Sequence, residues 1–196
     1  MPHDSDTQQI PRCSWCGNDP LYVAYHDEVW GVPVKNDRTL FEFLTLEGAQ
    51  AGLSWITILR KREGYLKAFH DFDIERVSRM TEDECLDLMQ NPAIVRNRLK
   101  IFSTVSNAAA VLKVQKEHGS FSDFMWSYTN HIPIVNSFSS MSQIPAKTEL
   151  AEAISKELKK KGFRFVGPTI IYAFMQAVGM VNDHATHCFR YSEVGN

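Results

Sequence analysis

The sequence predicts an all-α fold, and three observations carry that prediction. Apolar residues recur at helical spacing, as at Ile94, Ile101, Val105, Ala108 and Leu112, while no stretch shows the sustained alternation of a half-buried strand. Helix boundaries are written in local chemistry. Thr81 and Glu84 form a capping box, Gly119 and Gly162 stand where helices should stop, and Pro168 stands where one should begin, its missing N–H costing nothing in a first turn. There is no internal repeat and no low-complexity segment, so about eight helices around a shared core are expected.

The opening MPHDSDTQQIP reads as a disordered polar tail, without the basic and apolar regions of an export signal, and the fold is expected to begin near Arg12. RCSWCGNDPLYVAYHDEVWGVP, dense in Cys, His, Trp and Tyr, should be loop-rich with a short helix near Leu21 to Tyr25. Asn36 or Asp37 can cap a helix from Arg38 to about Ala51, and Ser54 opens another from Trp55 to about Phe69. The capping box starts a helix from Glu82 to Met89. A long helix is expected from Ala93 to His118, a short aromatic one from Phe121 to Tyr128, and then a Ser-rich loop from Val135 to Ile144. Thr148 starts an amphipathic helix that ends in Lys159, Lys160 and Lys161. At Gly162 the missing Cβ allows a left-handed turn; Phe163-Arg164-Phe165-Val166-Gly167 then makes a short apolar hairpin before a helix from Thr169 to Val178. That helix is apolar almost all round and should be central to the core. After Gly179, Asn182 or Asp183 is expected to cap a last short helix carrying His184 and Cys188 at i and i+4.

The composition is that of an ordinary globular chain: 196 residues, 44% hydrophobic and 22% charged, with no apolar run long enough to span a membrane. Four cysteines without an export signal point to a reducing compartment, hence to thiols or metal ligands and a cytoplasmic protein. The net charge of −2 argues against broad coating of nucleic acid, so DNA would have to be gripped by local patches. Three patches offer themselves: Arg60-Lys61-Arg62, Arg96 with Arg98 and Lys100, and Lys159 to Arg164.

Cys13 and His26 near the start and His184 and Cys188 near the end make two thiolates and two imidazoles, a closed tetrahedral set suited to structural zinc. Cys16, which forms a CxxC with Cys13, and His187 are competing ligands, although i, i+4 geometry favours His184 with Cys188. Buried thiols and hydrogen-bonded histidines are the bland alternative. Glu47, in LEGAQAGLSW, places a carboxylate beside a glycine-broken helix junction where a small ligand could approach backbone. Taken alone it would be a solvated surface acid. Trp15, Tyr22, Tyr25, Trp30 and Trp55 strengthen the pocket reading, because such rings stack on bases and attract planar cations, and several are interleaved with Cys13 and His26.

The segments RCSWCGNDPLYVAYHD, LEGAQAGLSWITILRKR, GFRFVGPTIIYAFMQAVG and VNDHATHC closely resemble the bacterial 3-methyladenine DNA glycosylase I family, over about Arg12 to Arg190. The resemblance implies the helix-hairpin-helix glycosylase fold, with one structural zinc joining the N- and C-terminal segments through Cys13, His26, His184 and Cys188. It places the base-contacting carboxylate on Glu47 and the base-stacking rings on Trp15, Tyr22, Tyr25 and Trp55. The DNA wedge falls near Gly52 and Leu53 and the phosphate-binding hairpin on Gly162 to Gly167, including Phe165, with Lys160 beside it. Residues 12–191 would be one glycosylase unit, with a central helical region over about 36–145, between tails at 1–11 and 192–196. One departure stands out: where the family usually has HDxEWG this chain has His26-Asp27-Glu28-Val29-Trp30-Gly31, which puts in doubt any contact made by the missing acid.

The function implied is flipping of 3-methyladenine out of alkylated double-stranded DNA and hydrolysis of its N-glycosidic bond by a monomer. Methylation at N3 makes the base a cationic leaving group, so one carboxylate can suffice where glycosidases ordinarily use two. No lysine lies between Gly167 and Cys188, so strand cleavage by a lysine nucleophile is not expected. Asp183 stands roughly where related glycosylases carry a catalytic aspartate, and helix capping is its competing role. Two other functional classes compete: a zinc-stabilised helix-hairpin-helix module that binds damaged DNA without chemistry, and a metal-dependent hydrolase, which a closed four-ligand zinc would exclude.

Overall fold

The computed structural model describes residues 10–194, and the described chain is helical almost throughout. The tail expected over residues 1–9 lies outside the described residues. In order, the longer helices are α1 (Pro20–Glu28), α2 (Asp37–Gln50), α3 (Trp55–Leu59), α4 (Arg62–Ala68), α5 (Ile74–Ser78), α6 (Glu82–Leu88), α7 (Arg98–His118), α8 (Phe121–Ser127), α9 (Glu149–Lys160), α10 (Pro168–Ala177) and α11 (Arg190–Glu193). Among the described residues no helix is long and apolar enough to cross a membrane.

The caps read from the sequence select the helix starts. Asn36, not Asp37, caps α2 through Thr39 N, and the Thr81–Glu84 box and Thr148 cap α6 and α9. Asp37 serves a neighbour instead, accepting from Phe121 N and Ser122 N at 2.9 and 2.7 Å and so capping α8 from outside its own sequence. The expected helix from Trp55 to Phe69 breaks at Arg60-Lys61 into α3 and α4. The long helix starts at Arg98, five residues later than expected. Residues 93–97 are held irregular by tertiary contacts, with Val95 N donating to Tyr65 Oη and Ala93 O pressed on Gly64.

Helix α2 is buried on every face from Leu40 to Ala49, with both α7 and α10 packed against it. Helix α10 also packs on α9. The connection between them turns left-handed at Gly162, φ +91°, and again at Phe165, φ +54°. Asn107 of α7 clamps that turn, accepting from Arg164 N at 2.8 Å and donating to Arg164 O at 2.9 Å.

Two features depart from the expectation for the C-terminal end. The region is not free of strand: β1 (Ile134–Val135) and β2 (Val181–Asn182) form a two-stranded parallel ladder, Ile134 opposite Val181. His184 and Cys188 are not on a helix, because β2 keeps the chain extended and a turn, Cys188 N to Ala185 O, brings it round. Asn182 still acts as a local cap, its side chain accepting from His184 N at 3.1 Å. Helix α11 runs across the expected tail boundary at 191/192, and Val194 is buried.

Gly179, φ +71°, is where the N-terminal loop crosses the end of α10: a Cβ there would lie 2.5 Å from Pro33 N and Val32 C. Gly179→Ala is expected to cost about 3 kcal/mol, from the disfavoured φ and the overlap together. Urea unfolding reads this as a lower midpoint at unchanged m; a loss under about 0.5 kcal/mol would show that the crossing loop can yield.

Candidate functional site

The crossing of the terminal segments builds one corner of the site. Phe189 N donates to Pro11 O, Gly31 N to Gln176 O, and Arg12 pairs with Asp27 at 2.8 Å. Within this corner the donor atoms of Cys13, His26, His184 and Cys188 all lie within 4.8 Å of one another, and all four residues are buried. Cys188 Sγ lies 3.4 Å from His26 Nε2 and 3.5 Å from His184 Nδ1, and Cys13 Sγ lies 3.6 Å from His184 Nδ1. The remaining ring nitrogens are held from behind, His26 Nδ1 by Asp27 at 2.7 Å and His184 Nε2 by Trp30 O at 3.1 Å, as ligand imidazoles require. The mutual contact of the two thiols lowers Cys188 and raises Cys13.

The competing ligands are not in this set. Cys16 donates its thiol to Cys13 O at 3.1 Å, and His187 is exposed. Val29 packs on the core, and Asp27 supplies the carboxylate behind His26.

Next to the cluster opens a cavity of about 340 Å³, and all five residues proposed for the base site line it: Trp15, Tyr22, Tyr25, Glu47 and Trp55. The rings are continuous with the cluster. Trp15 sits 5.0 Å from Tyr22, 5.0 Å from Trp30 and 5.3 Å from His26, while Tyr25 lies 5.3 Å from Trp55. Glu47, from the buried stretch of α2, is 4% exposed, and its Oε2 is buried without a hydrogen-bond partner, as are Trp15 Nε1 and Trp55 Nε1. Burial pushes the Glu47 carboxyl up to about 8. Such a site holds an acceptor and two indole donors ready among aromatic faces, and an incoming ligand can satisfy them.

Sequence reasoning missed part of the wall. Met141, Ile144, Pro145 and Ala146 come from the Ser-rich loop, and Tyr172 and Gln176 from α10. The loop carries no periodic signal, but a Tyr and a Gln at i and i+4 on an otherwise apolar helix were a legible one. Asp183 is 1% exposed and is not in the cavity wall; it accepts from Tyr172 Oη, Gln176 Nε2 and Asn136 Nδ2 at 2.6, 2.7 and 2.7 Å.

The proposed DNA contacts lie on the outside. Gly52, φ +81°, starts the loop that leaves Leu53 42% exposed between α2 and α3. At the α9–α10 turn Lys160 and Gly162 are exposed and Phe165 and Gly167 partly so, and the N–H groups of Phe165, Val166 and Gly167 make no hydrogen bond among the described residues. The other basic patches are largely engaged internally: Arg60 with Asp19, Arg62 with Glu42, and Lys100 on the carbonyls of Ala49 and Ala51.

These arrangements have counterparts in known proteins. The methyladenine glycosylase family model matches residues 15–191. DNA-3-methyladenine glycosylase 1 of Escherichia coli K12 is 50% identical over 182 residues, 93% of this chain and 97% of that protein. A crystal structure of a 3-methyladenine DNA glycosylase I superposes with a TM-score of 0.89 at 51% identity, over 91% of this chain and 98% of the other. That of the Staphylococcus aureus enzyme, solved for 3-methyladenine recognition, also gives 0.89, at 40% identity over 91% of this chain and 95% of the other. With the family model matching most of its length, and with the residues matching that family's sequence gathered around one cavity, this chain belongs to the methyladenine glycosylase family.

Proposed function

We propose that this chain excises 3-methyladenine from alkylated double-stranded DNA, hydrolysing the N-glycosidic bond to leave an abasic site, as a monomeric glycosylase of the cytoplasm without strand-cleaving activity. The observation that carries the reading is the unpartnered, buried Glu47 carboxylate inside an aromatic box. A neutral base would meet a carboxyl held largely protonated by burial. A base cationic through N3-methylation offers both the counter-charge that ionises Glu47 and a flat face for the rings. Because that base leaves as a neutral molecule with the electrons of the broken bond, the step needs no proton donor, and water attacking the oxocarbenium-like sugar and releasing a proton to solvent completes it. No lysine lines the cavity, which supports hydrolysis over Schiff-base chemistry.

The left-handed α9–α10 turn, with free N–H groups beside Lys160, fits a helix-hairpin-helix element that seats a DNA phosphate without reading sequence. Leu53 fits a wedge for the gap left by the flipped base. Structural zinc fits the four-residue cluster. Tetrahedral Zn–S and Zn–N bonds of about 2.3 and 2.05 Å would set S···N edges near about 3.5 Å, and three such edges lie between 3.4 and 3.6 Å. Bound there, zinc would hold the two ends of the chain together and fix the Trp15 wall, with no open position for water.

The test is release of free bases from methylated duplex DNA, resolved by chromatography. Selective release of 3-methyladenine is expected. Tight binding of that DNA with no base released and no abasic sites formed would leave a non-catalytic binding module. Leu53→Ala is expected to lower release from duplex about ten-fold, with affinity for free 3-methyladenine unchanged, since the wedge acts on the stack and not on the base. A parallel loss of free-base affinity would place Leu53 in the pocket instead.

A further inference from the structure

The buried Asp183 carboxylate takes no part in the chemistry just described, yet two of its three partners are cavity residues. A carboxylate only accepts hydrogen bonds, so the atom of Gln176 that faces it at 2.7 Å must be the amide nitrogen. The side chain is therefore not free to turn its amide round. Its oxygen, Oε1, is the end left over, and it accepts no hydrogen bond among the described residues, while Gln176 itself lines the cavity. Tyr172, one turn earlier on α10, has its hydroxyl hydrogen committed to the same carboxylate oxygen. Asn136 satisfies the other oxygen, so Asp183 is fully engaged and buried at 1% exposure. The consequence for the cavity is a second hydrogen-bond acceptor, fixed in sense, on a different helix from Glu47.

The geometry points to Gln176 as a specificity-determining residue. Its amide oxygen, aimed by the positioning residue Asp183, accepts from the exocyclic 6-amino group of the base, so that the pocket selects a 6-aminopurine over a 6-oxopurine. A 6-amino group carries two N–H bonds and can serve two acceptors at once. The 6-oxo group of a guanine-type base would turn its own lone pairs on both and leave them unpaired, a mismatch that sites built on hydrogen bonds reject strongly.

The inference rests on the reading of the cavity as the site for 3-methyladenine, and the test separates the two. Full-length protein is titrated calorimetrically with free 3-methyladenine and with 3-methylpurine, which has the same ring and methyl group but no amine. Gln176→Met is expected to weaken 3-methyladenine roughly ten-fold, the worth of a hydrogen bond between neutral partners, and to leave 3-methylpurine unchanged. Asp183→Asn keeps an oxygen for the Gln176 amide and is expected to retain most of the preference for the amine. Asp183→Leu frees that amide and should shrink it. Equal loss of both ligands in Gln176→Met, or no loss of either, overturns the role of Gln176. If the wild type binds neither ligand, the reading of the cavity falls, and this inference with it. An unchanged preference in folded Asp183→Leu overturns the positioning role alone.

Discussion

Glu47→Gln is expected to lower 3-methyladenine release by about 100-fold or more and, at the same time, to make the folded protein more stable at pH 8. Both halves follow from one fact: the carboxylate is buried without a partner, and its pKa is raised from 4.5 to about 8. Below pH 4.5 the group is protonated folded and unfolded, and burial costs nothing through ionisation. Between 4.5 and 8 the unfolded chain ionises while the folded one resists, so stability falls as pH rises, by about 1.4 kcal/mol per unit at most. Above about 8 the penalty is complete, about 5 kcal/mol as an upper figure. Gln removes this penalty but still buries an unpaired amide, so a net gain of about 2 kcal/mol is expected at pH 8 and a net loss of about 1 kcal/mol at pH 5. Urea unfolding of both proteins at the two pH values measures it. A mutant less stable than wild type at pH 8 would mean that Glu47 is ionised and paired in the folded state, which would undo the proposed role. Wild-type kcat/KM should rise with pH towards a limit near 8, and Glu47→Gln should lack that limb.

How much of this could be read without the structure depends on whether the cause was local. Asn36, Thr81 and Thr148 lie beside the N–H groups they cap, and all three were legible. So was the set Cys13, His26, His184 and Cys188, although the i, i+4 spacing of the last two implies a helix that does not form there. The residues converge because Val181-Asn182 pair with Ile134-Val135 far away in sequence, and no pattern inside VNDHATHC announces that partner. The late start of α7 has the same origin, since residues 93–97 look helical by spacing but are claimed by Tyr65 and Gly64. Glu47 was legible as a candidate through the aromatic residues and the family resemblance; by itself it reads as a surface acid, and its burial comes from the covering of α2 over Leu40 to Ala49. Met141 to Ala146 join the cavity through loop folding alone, for which the sequence has no code.

Cys188→Ser is expected to lose one zinc per chain and to lower the melting temperature by about 10 °C or more, corresponding to about 3–5 kcal/mol for a chain of this size. The cost has two sources. Cys188 Sγ is within 3.5 Å of both imidazoles, so its loss leaves two buried histidines without their common partner. It also frees the C-terminal turn from α1, which is otherwise joined to the start of the chain through Phe189 N and Pro11 O. The effect should then propagate unevenly. Trp15 and Trp30 pack on His26 and His184, with Trp30 4.6 Å from His184, so affinity for free 3-methyladenine should fall with the metal. The α9–α10 turn is clamped separately, by Asn107, so binding to undamaged duplex should persist in any folded fraction. Cys16→Ser is the control: it changes a buried thiol 3.1 Å from Cys13 O but removes no ligand, and should keep its zinc and most of its stability. Metal analysis and melting of the three proteins decide the matter. If the dialysed wild type holds no zinc and Cys188→Ser melts within about 2 °C of it, the cluster is a hydrogen-bonded core of thiols and imidazoles, and the terminal segments are held together by packing alone.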